Sequence, residues 1–377
     1  MKPFAFEVFI QTLIEKGILP GISILIGKKG GIRFKKQYGF KSIIPHKEKL
    51  NENTDVLYDL ASLTKPLVTA FLTVYLAERE NVPLDTGVKK MFPVLPVDIN
   101  LLQLLTHTSG LPAWYPFYLF GSDYLTQLRS LQLESRPGKR VNYSCAGYIL
   151  LHYVIEKLAG TSFREAARQI IFDPLGLTNT FLSVPEHLKK TAAPTEEGDE
   201  REKKMAEKWV QKCRDKDKRS KYRERFVNFA WRDSMIQGEA HDVNSHYLGG
   251  TAGNAGLFST TGDVFRLCLE FFPSSASLLS HESLQLFRKN FTPFKKSHRT
   301  VGFKRNSSFI TSGGRALSGE AVGHSGVTGT SIWLDPQQET VFILLSNHIH
   351  PGFKTFNFNK TRRKLHRLIC KEKALGL

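Results

Sequence analysis

Short β-rich runs sit near both ends of this chain, and helical periodicity is confined to its middle. Gly21-Ile-Ser-Ile-Leu-Ile-Gly27 and Ile32-Arg-Phe-Lys-Lys-Gln-Tyr-Gly39 flank a Gly30-Gly31 turn and read as a hairpin. Gly329-Thr-Ser-Ile-Trp-Leu334 and Thr340-Val-Phe-Ile-Leu-Leu-Ser346 read as a second pair, across a turn at Asp335-Pro336. Between them, Pro66 to Glu80 places Leu67, Ala70, Phe71, Val74 and Leu76-Ala77 close to a 3.6-residue period. Leu101–Leu105, Ala146–Leu158 and Phe163–Ile171 are also helical in pattern. Strands that need partners at opposite ends of a chain must meet in one sheet. The order therefore predicts an α/β (α+β) protein. A discontinuous sheet domain would comprise residues 1–60 and 262–377, with a mainly helical domain, 61–261, inserted.

The remaining features narrow the class. A chain of 377 residues with 41% hydrophobic side chains can bury a large core, and its composition excludes disordered, collagen-like and coiled-coil classes. The first sixteen residues alternate apolar groups with Glu7, Gln11 and Glu15, which predicts an amphipathic helix rather than a signal peptide. No run reaches the roughly 18 apolar residues of a membrane span. A soluble, cytoplasmic protein is the expectation, or a periplasmic one if the true start lies upstream. Four separated cysteines, Cys145, Cys213, Cys268 and Cys370, form no metal-ribbon or disulfide pattern.

The net charge of +18 invites a polyanionic partner. Much of it is local: Asp199 to Arg225 carries twelve basic and seven acidic side chains, and Lys354 to Lys373 eight and one. The first run lies in an insertion at about 197–230 with sparse apolar positions, which reads either as a solvated helical segment or as an exposed linker without function. The second reads as a basic terminal helix from about Lys360. No nucleic-acid motif is present and aromatics are not interleaved with the basic runs, so no nucleic-acid partner is expected. Binding to DNA or liposomes that falls steeply with salt would be needed to reopen that class.

Three local patterns carry chemistry. Asp59-Leu-Ala-Ser62-Leu-Thr-Lys65 opens the first long helix, where a spacing of three puts Ser62 and Lys65 on one face. The amine can then ease removal of the hydroxyl proton, although Ser62 could equally be a helix cap. Val141-Asn-Tyr143-Ser-Cys145 precedes a helix and could aim a phenol at Ser62. Near cationic groups the Tyr143 pKa would fall, which suits a general base; packing is its ordinary alternative. Gly323-His324-Ser325-Gly326-Val327-Thr328-Gly329 enters the strand ending at Leu334 and could offer an edge to an acyl substrate, with His324 a donor or cation opposite the serine. His241-Asp242 lacks a third ligand nearby, so no metal is expected.

Taken together, the three patterns resemble the serine β-lactamase and penicillin-binding-protein superfamily. The likeness is to its class C-like branch, with esterase and D,D-carboxypeptidase relatives. Leu104-Leu-Thr-His-Thr-Ser-Gly-Leu111, Arg136-Pro-Gly138 and Asp173-Pro-Leu-Gly-Leu177 are similar to that branch. Gly238-Glu-Ala-His-Asp-Val-Asn244, Gly249 to Thr260 and Ser346-Asn-His-Ile-His-Pro351 are similar to a bacterial subgroup that includes a penicillin-binding protein 4B. The resemblance spans roughly residues 10 to 370 and implies a β-lactamase/D,D-peptidase-like fold, an antiparallel sheet flanked by helices. It implies Ser62 as nucleophile, Lys65 as its proton-transfer partner and Tyr143 as the motif tyrosine. His324, Ser325 and Gly326 would be the third motif, and the Val327 N–H would complete an oxyanion hole. Whether Lys65 or Tyr143 is the base stays open. Two positions depart: Cys145 stands where many relatives have Asn or Asp, and Asn254 where subgroup members tend to have His.

The implied function is a cofactor-independent serine hydrolase acting through an acyl-enzyme. Its substrate would be a small ester or a D-alanyl-type amide, with peptidoglycan fragments among the candidate partners. A true β-lactamase is disfavoured by Cys145, since a thiol poorly replaces an amide as donor and acceptor. A non-catalytic receptor for cell-wall fragments is disfavoured by the presence of all four of Ser62, Lys65, Tyr143 and His324.

Overall fold

The computed structural model describes residues 3–93, 95, 98–306, 311–352, 357–372 and 375–376. Strand β1 (Gly21–Lys28) turns back into β2 (Gly31–Ser42), with an irregularity at Ile26/Gly27, and the short β3 (Glu48–Lys49) follows on its outer side. The two-residue strands β4 (Tyr58–Asp59) and β5 (Phe258–Ser259) pair apart from the main sheet. The chain returns to that sheet through β6 (Lys304–Arg305), β7 (Val322–Ser325), β8 (Ser331–Asp335) and β9 (Thr340–Leu345). The order is β3-β2-β1-β9-β8-β7-β6, antiparallel throughout. Ser23 lies opposite Leu345 and Lys28 opposite Thr340, so the first strand of the chain is zipped to its last.

Both faces of this sheet are covered, which explains why its strands read as continuous apolar runs rather than alternating ones. Ile22, Ile24 and Ile26 of β1, Trp333 of β8, and Phe342 and Leu344 of β9 pack with Phe6, Ile10, Leu365 and Ile369. Those partners come from the helices Ala5–Glu15 and Phe358–Ile369. The alternate positions Leu25, Ile332, Leu334, Val341, Ile343 and Leu345 face the larger core, which continues into the helical region. Each such side chain, fully buried, contributes about 1.5–3 kcal/mol. No helix among the described residues is long and apolar enough to cross a membrane.

At the centre of the helical part lies Cys145–Ala159, capped by Ser144 at one end and stopped by Gly160 at φ +65° at the other. Where a regular helix was expected from Pro66, the chain makes a 3₁₀ turn at Ala61–Leu63 and wide π turns over Lys65–Ala70. It becomes α-helical only at Phe71–Arg79. His324 and Ser325 end β7 rather than entering the strand that finishes at Leu334; residues 326–330 form the turn into β8.

The insertion is not the exposed linker that its charge suggests. Helices Glu200–Gln211 and Lys216–Val227 pack on each other and on the 114–120 segment. Trp209 stacks on Tyr222 at 4.9 Å and meets Tyr115 edge-on at 5.2 Å, while Phe229 and Trp231 close on Tyr118 at 4.9 and 5.7 Å. Arg232 and Asp199 pair at 2.7 Å at the base. The aromatic residues are isolated among charges in sequence, so only the folded hairpin gathers them into a stripe.

Candidate active site

The backbone around Ser62 is held from several sides. Asp59, buried, accepts hydrogen bonds from the Ala61 N–H at 2.7 Å and the His241 N–H at 2.8 Å. Ala61 sits at φ +46°, an uncommon conformation for a residue with a side chain. Thr328 Oγ1 donates to the Asp59 carbonyl at 2.7 Å, and Thr330 Oγ1 to the Leu60 carbonyl at 3.1 Å. These contacts fix the turn that presents Ser62. Gly326 allows the β7–β8 turn to press against it, because a Cβ there would lie 2.6 Å from the Leu60 carbonyl.

Lys65 is fully buried, and its Nζ donates to Ser62 Oγ at 3.0 Å and to the Asn254 carbonyl at 2.8 Å. That carbonyl arrives through the glycine-rich 249–256 segment. Gly253 is indispensable to the approach, since a Cβ there would stand 2.0 Å from the Tyr148 carbonyl. The Lys65 ammonium lies 5.0 Å from the Tyr143 ring centroid, and Tyr143 lines the same pocket as Ser62. Ser62, Lys65 and Tyr143, which the sequence singled out separately, are thus brought together.

Burial sets the protonation of this group. It opposes the Lys65 charge, but the ammonium is favoured by the negative charge that Cys145 and Tyr143 take on when they ionise, and Lys65 is held above the ordinary lysine value. Burial raises Tyr143 despite the neighbouring Lys65 cation, so the fall expected from sequence does not occur. The Cys145 thiol is raised for the same reason, with Lys65 acting against it. The resting set is an ammonium, a phenol and a thiol that titrate as a coupled unit.

His107 was not singled out as a site residue. It stacks between Tyr143 at 4.5 Å and Tyr148 at 4.9 Å, and its Nδ1 accepts from the Ser144 N–H at 3.0 Å. Burial, then Arg299, Lys65 and His324, hold it neutral, so the proton resides on Nε2. His324 is likewise held well below the usual histidine range by burial, with Lys65 and Arg299 adding to it. The expected cation opposite the serine is therefore a neutral imidazole, and its Nδ1 lacks a hydrogen-bond partner among the described residues.

The pocket beside Ser62 has a volume of about 430 Å³. Tyr143 closes one side; His324, Ser325, Gly326 and Val327 form another. Strand β6 pairs β7 only at Val322 and Gly323, leaving the edge from His324 onward open to a ligand. Two cations that sequence reading missed complete it. Arg299 is 7% exposed, with its guanidinium 5.7 Å from the Tyr143 ring centroid, and Lys304 lies further along the same wall. Neither has an ion pair among the described residues, and the Arg299 Nε has no hydrogen-bond partner there. His241 and Asp242 serve other ends: the imidazole meets Glu196 at 3.0 Å and the carboxylate caps Val243–Tyr247. No group of three or more potential metal ligands occurs among the described residues.

A serine hydroxyl held against an ammonium and a phenol, beside an open strand edge, is an arrangement suited to acyl transfer. Comparison with known proteins points the same way. The family described as Beta-lactamase matches residues 6–363. A protein of Escherichia coli K12 named "Putative D-alanyl-D-alanine carboxypeptidase" is 28% identical over 376 residues, covering 91% of this chain and 81% of that one. Among solved structures, EstCE1, a hydrolase with promiscuous acyltransferase activity, aligns with a TM-score of 0.71 at 18% identity over 97% of both chains. A β-lactamase/D-alanine carboxypeptidase from Pseudomonas syringae aligns at 0.70 and 18%, over 98% of this chain and 99% of that one. The chain belongs to the Beta-lactamase family and is a serine hydrolase of that family.

Proposed function

We propose that Ser62 attacks the carbonyl of a D-alanyl-type amide whose terminal carboxylate lies against Arg299 and Lys304. The observation that carries this reading is that Arg299, almost wholly buried, and Lys304 stand in the pocket wall with no carboxylate partner among the described residues. A buried guanidinium stays charged and is costly to leave unpaired, so a substrate carboxylate recovers what its burial loses. Neutral esters would be turned over as surrogates without that gain.

In this reading the reactive form is the one in which the Lys65–Tyr143 set has lost one proton to solvent, and that set takes the Ser62 proton as the Oγ–carbon bond forms. The oxyanion is received by the N–H groups of Ser62 and Val327. The same proton then goes to the departing amine, leaving an acyl-Ser62 ester that water cleaves with the same groups in reversed roles. The ligand backbone pairs with β7 from His324 to Gly326. Peptidoglycan fragments ending in D-alanine have the required chemistry, and the relative's name agrees with it. Cys145 offers no amide to a β-lactam side chain, so binding without efficient hydrolysis is the expected response to penicillins.

The test compares a D-alanyl-D-alanine peptide with its C-terminally amidated form. The free acid should be preferred by at least about tenfold, on the scale of one buried charged hydrogen bond, and Arg299→Ala should erase the preference. Equal turnover of both forms by the wild type would overturn the substrate assignment. Persistent phosphonate labelling of Ser62→Ala would overturn the nucleophile.

A further inference from the structure

Two surface loops run outward from the pocket. One leads from Tyr143 back to Lys139 and Arg140; the other leads from Arg299 back to Phe294. They are tied together at their outer ends, where Lys295 Nζ donates to the Lys139 carbonyl at 2.9 Å. The second loop is itself internally bonded. Thr292 Oγ1 donates to the Ser297 carbonyl at 2.8 Å and accepts from the Arg299 N–H at 2.7 Å, and the Phe291 N–H donates to the Arg299 carbonyl at 2.8 Å. A loop so bonded holds its tip out in a defined shape.

At that tip Phe294 is 99% exposed, the most exposed large hydrophobic residue among those described. Lys295 and Lys296 follow it directly in the chain, and Lys295 ties the tip to the loop of Lys139 and Arg140; none of these four cations has an acidic partner among the described residues. Glu134, the acid of the adjoining loop, is engaged by Asn142 at 2.7 Å. An aromatic ring presented to water by a bonded loop, with lysines next to it in the chain and a second basic loop tied to it, fits a bilayer interface. The ring can enter the headgroup region while the cations meet anionic lipid.

We propose that the Phe294 loop, with Lys139 and Arg140, is a docking surface for anionic lipid bilayers beside the mouth of the Ser62 pocket. The surface is peripheral and reversible, because one ring and a handful of cations supply far less than a membrane-spanning helix. It differs from the basic helix Lys216–Val227, whose exposed residues Lys216 to Lys221 are all polar or charged. Docking does not depend on the substrate proposed for Ser62: it is read with vesicles and no substrate.

The test is co-sedimentation of the whole chain with vesicles of phosphatidylcholine alone and of phosphatidylcholine with phosphatidylglycerol. Binding is expected only to the anionic vesicles and should weaken as salt rises. Phe294→Ser should lower partition by about tenfold, and Lys295→Glu with Lys296→Glu by at least as much. Turnover of a soluble ester should be unchanged in both. Phe294→Trp should show a blue-shifted emission on anionic vesicles only, a readout that does not rely on loss of binding. Equal binding to both vesicle types, partition indifferent to Phe294→Ser, or preference for single-stranded DNA over anionic vesicles would each overturn the proposal. So would a concentration-dependent dimer that Phe294→Ser dissolves.

Discussion

Around Ser62, Lys65 and Asp59 are buried and Tyr143 and Cys145 half-buried, and each is displaced from its ordinary protonation behaviour. From Asp199 to Arg225 the insertion carries nineteen charged side chains, nearly all at the surface. The first group is small in number and is the one on which the proposed chemistry rests. The second accounts for much of the net charge and shows how little a solvated charge does by itself, since water and salt screen it. What holds the insertion in place is its aromatic stripe and the buried Asp199–Arg232 pair, not its lysines. Two buried carboxylates break the contrast: Asp199, paired with Arg232, and Glu202, which accepts from Trp114 Nε1 at 3.0 Å.

The largest effect should come from the buried side of this comparison. Lys65→Ala removes the cation bonded to Ser62 and should lower kcat/KM for any acyl substrate by at least about a thousandfold, measured at constant folding by circular dichroism. In the wild type, the proton-deficient form of the Lys65–Tyr143–Cys145 set grows as pH rises. Activity should therefore climb into the alkaline range, with no inflection from His107 or His324 near pH 6.5. A rate that peaks at neutral pH would mean that burial does not govern this set.

A smaller effect is expected one step behind the serine. Asp59→Ala leaves the buried Ala61 and His241 N–H groups without their acceptor, at a cost of about 1–3 kcal/mol each. The midpoint of thermal unfolding should drop by several degrees, and kcat should fall more than KM rises. Unchanged kcat in a folded variant would show that the turn holds Ser62 without Asp59.

The smallest effect lies in the insertion and sharpens the comparison through pH. Burial, with Asp242 adding to it, pushes the Glu202 carboxyl up to about 8 from an ordinary 4.5. The folded protein thus keeps a proton that the unfolded chain gives up at lower pH. The associated stability is complete below about pH 4.5 and is lost as pH rises through 8. Thermal unfolding of wild type and Glu202→Gln between pH 5 and 9 should show the wild type losing ground until about pH 8, then running parallel. Parallel curves across the whole range would place Glu202 with the solvated charges instead.

Much of the site was legible because its chemistry is written at short spacing. Ser62 and Lys65 are three residues apart, and His324 to Val327 are contiguous. Arg299, Lys304 and the Asn254 carbonyl were not legible, for different reasons. The two cations sit among many others in a basic chain, and nothing local marks which of them will be buried. The Asn254 group is a backbone atom, so side-chain identity carries no trace of its bond to Lys65. The rim at Phe294 escaped for a related reason, since a Phe before two lysines reads as an ordinary loop until its exposure and its tie to Lys139 are known.

The amino-acid sequence by itself pointed to one sheet shared by the two ends of the chain and to candidate groups for acyl transfer, whose order along the chain resembles the family it belongs to. Those follow from periodicity and from the order of chemical groups along the backbone. Tertiary structure alone decided which charges are stripped of water. It made His324 neutral and Tyr143 reluctant to ionise, buried Arg299 with no ion pair among the described residues, and folded a run of charges into a docked helical hairpin. The physical reason is that desolvation depends on everything packed around a group, and most of what surrounds these groups is distant in sequence.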